Sequence, residues 1–455
     1  MEGTKRMKKS IFAVIAAFLM SFTLFAAGCD GGVFGDGVGD DDLVIWANST
    51  YWGGANELLV QQMMDKYEQA TGKEVYFVPQ SDLDTKLKSV ANGAESPDVV
   101  IWDRWETVRY INEDRFVCID DYMQESGVNA ADYQSEAMEE MMLDGKHYGI
   151  PLDIDVWGLW VNVTALNAAG IEKLPTTWDE LRTAANALTV YSDPVNKTGM
   201  TRAGMNMKMA GSFYPFLMTA GGQILSDDET KLTVDNDYGR AVLKYFWQLN
   251  NEDKVFNEAL ATGGGPNDPF LTQKIAIQVN SLLNGTNFYD QYSDGTFEYE
   301  FIPFPKGPSA ELAPEGVTPN SQLGGLMGGF GLAIPTTSIK QDAAWDLINW
   351  WVCTTENAVE WSKISGLIPA KLEIINDESM KEVPNVRNAI EVLPYLKARP
   401  KTLGYTSIET SVIMSKVDGL LFSNAYRGET ADDKIAACLK DMEKAGNEIL
   451  EFYRE

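Results

Sequence analysis

Histidine is nearly missing from these 455 residues; His147 stands alone. That excludes a metal centre of clustered imidazoles and confines any Ser-His-Asp arrangement to one residue. No cofactor motif replaces it. Gly324-Gly325-Leu326-Met327-Gly328-Gly329 is glycine-rich, but no Lys or Ser/Thr follows at the spacing of a phosphate-binding loop. Cysteine is scarce too, with Cys29, Cys118, Cys353 and Cys438 as the full set. A disulfide-built scaffold is therefore excluded. The last three leave room for one bridge outside a cell, and free buried thiols are the plainer expectation.

Basic residues are outnumbered, with 37 Lys and Arg against 66 Asp and Glu. The formal charge of −29 and pI near 4.4 exclude a nucleic-acid partner and adsorption on anionic lipid headgroups. Such acidity suits a cationic ligand or simply keeps an exported protein soluble. No repeat in the 20–50 residue range is visible, which removes solenoids.

The long apolar run is Ile11 to Ala27, preceded by Lys5, Arg6, Lys8 and Lys9 and followed by Gly28-Cys29. This is the layout of an export signal over residues 1–28. A permanent membrane helix is the alternative, though the run is short for a bilayer. Residues 29–42 are rich in Gly and Asp, so they cannot bury enough surface to offset their ordering entropy and read as a flexible tether. A calcium loop is ruled out there by the missing Glu twelve positions after the first Asp.

What is present is a folded body of more than one domain's length. Leu43 to Ala47 predicts a strand, and Leu59, Met63 and Tyr67 share a helix face ended by Gly72. Glu74 to Val78 is the next strand; Ser81 opens a helix running to Gly93; Val99 to Trp102 is the third strand. This β-α-β-α-β order predicts a parallel sheet, whose ligands bind beyond the carboxyl ends of the strands. Those ends are Asn48 to Trp52, Pro79 to Ser81, and Trp102 to Arg104. Further on, Thr177-Trp178-Asp179-Glu180 is a capping box, and helices are expected over Met205 to Ala220, Tyr238 to Leu249, after Ser338 and after Thr430. Gln273 to Val279, Phe297 to Pro305 and Gly331 to Ile334 read as extended.

The organising stretch is Tyr148 to Asn162 (YGIPLDIDVWGLWVN): a strand, a Pro-fixed bend carrying two carboxylates, and a second strand rich in Trp. A segment of this kind crosses between lobes and leaves its acids and indole in a cleft.

In order and spacing, several pieces resemble the extracellular solute-binding proteins of family 1, the sugar receptors of bacterial ABC importers. They are Ala26-Ala27-Gly28-Cys29, Val44-Ile45-Trp46, Pro97-Asp98-Val99-Val100, Tyr148-Gly149-Ile150-Pro151 with Trp157 to Asn162, and Pro175 to Leu181. Gly331-Leu332-Ala333-Ile334-Pro335 and Gly366-Leu367-Ile368-Pro369-Ala370 complete the set. Val161 stands where the family usually has an aromatic.

The resemblance implies an α/β, two-lobed periplasmic-binding-protein-like fold of type II. Three crossings are expected, near Asp153–Val156, Thr272–Ile277 and Gly328–Leu332. One lobe would hold 43–154 plus 276–328, and the other 155–275 plus 329–455. Cys29 would carry a lipid anchor on the outer face of the cytoplasmic membrane. The expected partners are a mono- or oligosaccharide and the permease subunits of an ABC transporter, with the receptor itself a monomer.

A buried sugar needs hydroxyl partners from charged and amide groups and apolar faces from aromatic rings. Tyr51, Trp52, Trp102, Asp103, Arg104, Asp153, Asp155, Trp157 and Asn280 fit by their places at strand ends and crossings. Tyr214 and Tyr405 are added by position in the family. Two readings compete: a glycoside hydrolase using Asp153 and Asp155 or Asp103, and a receptor of the same fold for a polyamine.

Overall fold

The computed structural model describes residues 39, 41–90, 96–208, 212–284, 289, 292–383, 387, 389 and 392–454. The export signal, Cys29 and Gly93 lie outside the described residues. At residues 39–42 the described part is a turn in which Asp42 N donates to Gly39 O at 3.2 Å.

From Leu43 onward the described residues build two five-stranded sheets, two small two-stranded ones and two hydrophobic cores. Strand β1 (Leu43–Asn48) is followed by helix α1 (Ala55–Thr71), β2 (Val75–Gln80) and β3 (Val99–Asp103). Gly72, with φ of 73°, adopts the left-handed turn that ends α1. The short helix Leu83–Ser89 is capped by Asp82, whose side chain accepts from Thr85 N at 3.1 Å, not by Ser81. Next come β4 (Ile150–Pro151), β5 (Asp155–Asn162), helix α2 (Phe213–Ala220), β6 (Ile277–Ser281), β7 (Tyr299–Pro303), β8 (Gly325–Gly328), β9 (Phe330–Ala333) and β10 (Leu396–Lys397).

The first sheet has the order β2-β1-β3-β9-β4, with β1 parallel to β2 and β3 and β9 antiparallel to both its neighbours. The second has the order β6-β5-β8-β10, with β7 also antiparallel to β5. Strand β5 shows why one segment serves both halves. Side chains alternate along a strand: Val156 and Trp160 enter the first core, while Leu159 and Val161 enter the second.

Sheet membership divides the chain differently from the expected bounds, although Leu282, Leu283, Phe297 and Phe301 enter the first core as those bounds have it. Ile277–Ser281 and Tyr299–Pro303 pair with β5 in the second sheet, whereas Phe330–Ala333 pairs with β3 and β4 in the first. The helices Gln341–Ile348 and Thr355–Ser365 then pack in the first core. Around Thr272–Ile277 the core membership changes: Phe270 and Leu271 enter the first core, while Ile275 bridges Ala203 and Ile277, paired with β5, enters the second. The chain passes between sheets at Leu152–Ile154, where β4 gives way to β5, and at Gly329, where β8 gives way to β9. It passes again between the helix Leu372–Ile375 and β10. A short buried strand carries no local mark of the sheet it will join, so the pattern of residues could not decide this.

Gly329 must be glycine. Its φ is +128°, and a Cβ there would press on Arg104 and Asp153. Cys118, Cys353 and Cys438 are free thiols, the first exposed and the last buried.

Candidate functional site

The carboxyl ends of β1 and β3 open on a cavity of about 170 Å³, lined in part by Asn48, Tyr51, Trp102, Asp103, Trp105 and Phe330. Asp103 closes β3, and its side chain makes no hydrogen bond among the described residues. It is deeply set yet partly open to the cavity. Burial pushes its carboxyl up to about 7; Arg399 works against that shift and Glu140 and Glu106 add to it.

Arg399 is the cationic counterpart. It is 9% exposed, and its Nε donates to Glu409 Oε2 at 2.9 Å. Its guanidinium lies 4.7 Å from the Trp105 ring centroid and 5.8 Å from that of Trp157. Neither terminal nitrogen makes a hydrogen bond among the described residues. Burial disfavours the charge of Arg399, but Glu409 and Asp103 more than restore it. Two aromatic planes, one carboxylate and two uncommitted N–H₂ groups therefore meet at one place. Trp105 follows the first sheet and Trp157 belongs to β5 in the second, so both halves contribute.

Tyr214 and Tyr405 join the same centre. Burial raises both phenols, Tyr214 to about 12; Glu229 and Glu409 add to the first and Glu409 and Tyr214 to the second, while Arg399 opposes both shifts. The Tyr405 hydroxyl is buried and has no hydrogen-bond partner among the described residues. Tyr51, 38% exposed, lies with its ring 5.6 Å from Phe330. Trp102 is 4% exposed and packs edge-on to Tyr110 at 4.0 Å, yet still borders the cavity.

Five of the expected ligand residues are engaged within the protein itself. Trp52 is fully buried, edge-on to Phe330 at 5.0 Å and stacked on Trp361 at 5.9 Å, because the first turn after β1 folds back into the core. Arg104 has no exposed side chain; its Nε pairs with Glu140 Oε2 at 3.0 Å. Its terminal nitrogens donate to the carbonyls of Asp153, Phe330 (3.1 Å) and Gly328 (2.6 Å). It thus grips both β4–β5 and β8–β9 passages. Asp153 Oδ1 accepts from Phe330 N at 3.0 Å, and Asp155 Oδ1 accepts from Leu283 N at 3.0 Å. Burial raises these two acids to about 7 and about 6, against the pull of Arg104 on the first and of the Leu283 N–H on the second. Asn280 is taken up by Tyr289 Oη at 3.3 Å and by Ser281 N at 2.9 Å. Acids and amides at a crossing hold the crossing together before they hold anything else.

Trp105, Arg399 and Glu409 escaped the sequence. Trp105 sits one residue past the strand-end set Trp102 to Arg104, so reading one residue further would have reached it. Arg399 lies in an irregular stretch after β10, and Glu409 lies on the helical run Tyr405–Phe422, which was not expected from the sequence.

Two half-cores joined by strap-like passages, with a polar and aromatic centre between their sheets, define a two-lobed receptor. A family model described as bacterial extracellular solute-binding protein matches residues 62–388, and the chain belongs to that family. The maltotriose-binding protein of Pyrococcus abyssi is 22% identical over 372 residues, covering 80% of this chain and 74% of that one. The lactose-binding protein of Rhizobium radiobacter is 23% identical over 365 residues, covering 77% and 76%. The solved ABC transporter solute-binding protein from Thermotoga lettingae, bound with alpha-D-tagatose, shares the fold. Its TM-score is 0.70 at 19% identity, with 90% of this chain and 100% of that one covered.

Proposed function

We propose that this chain is the substrate-binding lipoprotein of an ABC importer, capturing a carbohydrate between its lobes and delivering it to the permease. The observation that carries the reading is the pairing of unmet groups at the centre: the Asp103 carboxylate and both terminal nitrogens of Arg399, beside the Trp105 and Trp157 rings. Sugar hydroxyls donate to the first and accept from the second, and ring C–H faces lie on the indoles. Closing the lobes excludes water and strengthens each contact.

The family is one of binding proteins, and capture without cleavage fits the chemistry. Asp153 and Asp155, the pair weighed for hydrolysis, each commit one carboxylate oxygen to a backbone N–H group. A polyamine is disfavoured by the Arg399 cation in the middle of the site. Export by residues 1–28 and anchoring through Cys29 complete the proposal, and the receptor acts as a monomer. Among the described residues no helix is long and apolar enough to cross a membrane.

The test is a thermal-shift screen of mono- and oligosaccharides beside spermidine. A ligand that binds only the folded form raises its melting temperature by mass action. Stabilisation by a sugar supports the reading; stabilisation by spermidine alone overturns it.

A further inference from the structure

The short helix Ser135–Glu139 belongs to the first half, with Ala137 and Met138 in the first core. Its other side is acidic. Glu136, Glu139 and Glu140 follow the i, i+3, i+4 spacing that gathers side chains on one side of a helical turn. Each of these carboxylates meets a cation, and each cation serves a passage between the sheets.

Glu140 lies at the buried end of the turn. Its Oε2 holds Arg104 Nε at 3.0 Å, with both side chains closed to solvent. The terminal nitrogens of Arg104 donate to the carbonyls of Asp153, Phe330 and Gly328, which flank the passages at Leu152–Ile154 and Gly329. On the open side of the same turn, Glu136 Oε1 lies 3.2 Å from Lys397 Nζ. Lys401 Nζ lies 3.6 Å from Glu139 Oε2 and donates to the Glu139 carbonyl at 3.3 Å. Lys397 ends β10, which pairs with β8 in the second sheet, and Lys401 follows Arg399 by two residues. These two pairs therefore tie the first half to the third passage where it joins the second sheet.

The two sides of the turn differ in kind. A buried guanidinium with four partners cannot let go without stranding Glu140 in a dry setting. Lys397 and Lys401 are open to solvent, with side chains 61% and 38% exposed; such pairs are weak, screened by salt and easily exchanged for water.

We propose that the turn Glu136–Glu140, together with Arg104, sets the resting angle between the two halves. Arg104 and Glu140 form a permanent pivot on two passages, and Glu136 and Glu139 form a releasable latch on the third. These are positioning residues that touch no ligand. The inference concerns the ligand-free protein, so it stands or falls apart from the carbohydrate reading.

The test is double electron–electron resonance on the full chain without ligand. Leu58 and Val195, 60% and 89% exposed on the first and second halves, are each replaced by a keto-bearing residue that takes a spin label without using the thiols. The wild type is expected to give one narrow distance at low salt. At 1 M NaCl, where the screening length is about 3 Å, a second distance should hold at least about a tenth of the population. The double variant Lys397→Met, Lys401→Met should show that second distance at low salt. Arg104→Met should do the same, and so should Arg104→Lys, which keeps the charge beside Glu140 but not the fork to three carbonyls. A single unchanged distance in the lysine variant, whose altered sites are exposed and leave the core intact, overturns the inference. So does a single unchanged distance in Arg104→Met alongside a lowered melting temperature, since Arg104 would then support the fold alone.

Discussion

Replacing Arg104 with Met removes a wholly buried guanidinium that serves Glu140 and three carbonyls of the two passages. Breaking a buried ion pair from one side costs about 3–5 kcal/mol, because the partner charge is left in a dry setting. For a folded body of this size the unfolding entropy is on the order of 0.9 kcal/mol/K, so the melting temperature should fall by about 3–6 °C. The pH dependence follows from Glu140. Burial already holds its carboxyl above the usual range, while Arg104 pulls it down. Without Arg104 its folded-state pKa rises further above the unfolded one, so the stability tied to its protonated form is retained at low pH. That stability is lost as pH rises. The deficit of Arg104→Met should therefore be larger at pH 8 than at pH 5. Adding Glu140→Leu removes the stranded charge and should recover part of the loss, the departure from additivity reporting the pair itself. Calorimetry of the wild type, both single variants and the double variant at the two pH values decides it. A deficit under about 1 kcal/mol, or one independent of pH, would refute the reasoning.

Asp103→Asn should weaken sugar binding by about tenfold, the worth of a charge-assisted hydrogen bond. With the carboxyl of Asp103 raised to about 7, wild-type affinity should be full near pH 8 and decline as pH falls through 7. The Asn variant should show a flat profile by titration calorimetry. Trp157→Ala, which removes one of the two rings flanking Arg399, should reduce affinity at least about tenfold with the melting curve little changed; unaltered affinity would take Trp157 out of the site. Gly329→Ala forces an L side chain to a φ of +128° against Arg104 and Asp153. It should cost about 2 kcal/mol or more in urea unfolding.

The parts of this fold with local signatures were open to the sequence. The first three strands and α1 follow from apolar periodicity, and Thr177 caps its helix as read, accepting from Glu180 N at 3.2 Å. Strand β5 with its indoles was found because Pro151 and the Trp-rich run mark it. What escaped was partnership. Phe330–Ala333 and Ile277–Ser281 are both short buried strands, and nothing within either says which sheet it joins.

The site shows the same limit. Asp103 was legible as the last residue of a strand in a parallel sheet. Arg104, its neighbour, points the other way along the alternation, into the passages instead of the cavity. Asp153 and Asp155 look like ligand groups in sequence because a carboxylate beside a Pro bend gives no hint of a backbone N–H waiting more than a hundred residues away. Arg399 and Glu409 acquire their meaning only when the segment after β10 is laid against Trp105 and Trp157.

The most direct measurement is a crystal structure of the protein grown with its tightest-binding sugar. The account expects ring density bonded to Asp103 and to the terminal nitrogens of Arg399, with an indole of Trp105 or Trp157 in face contact. Sugar density elsewhere on the molecule, with that centre left to solvent, would contradict it.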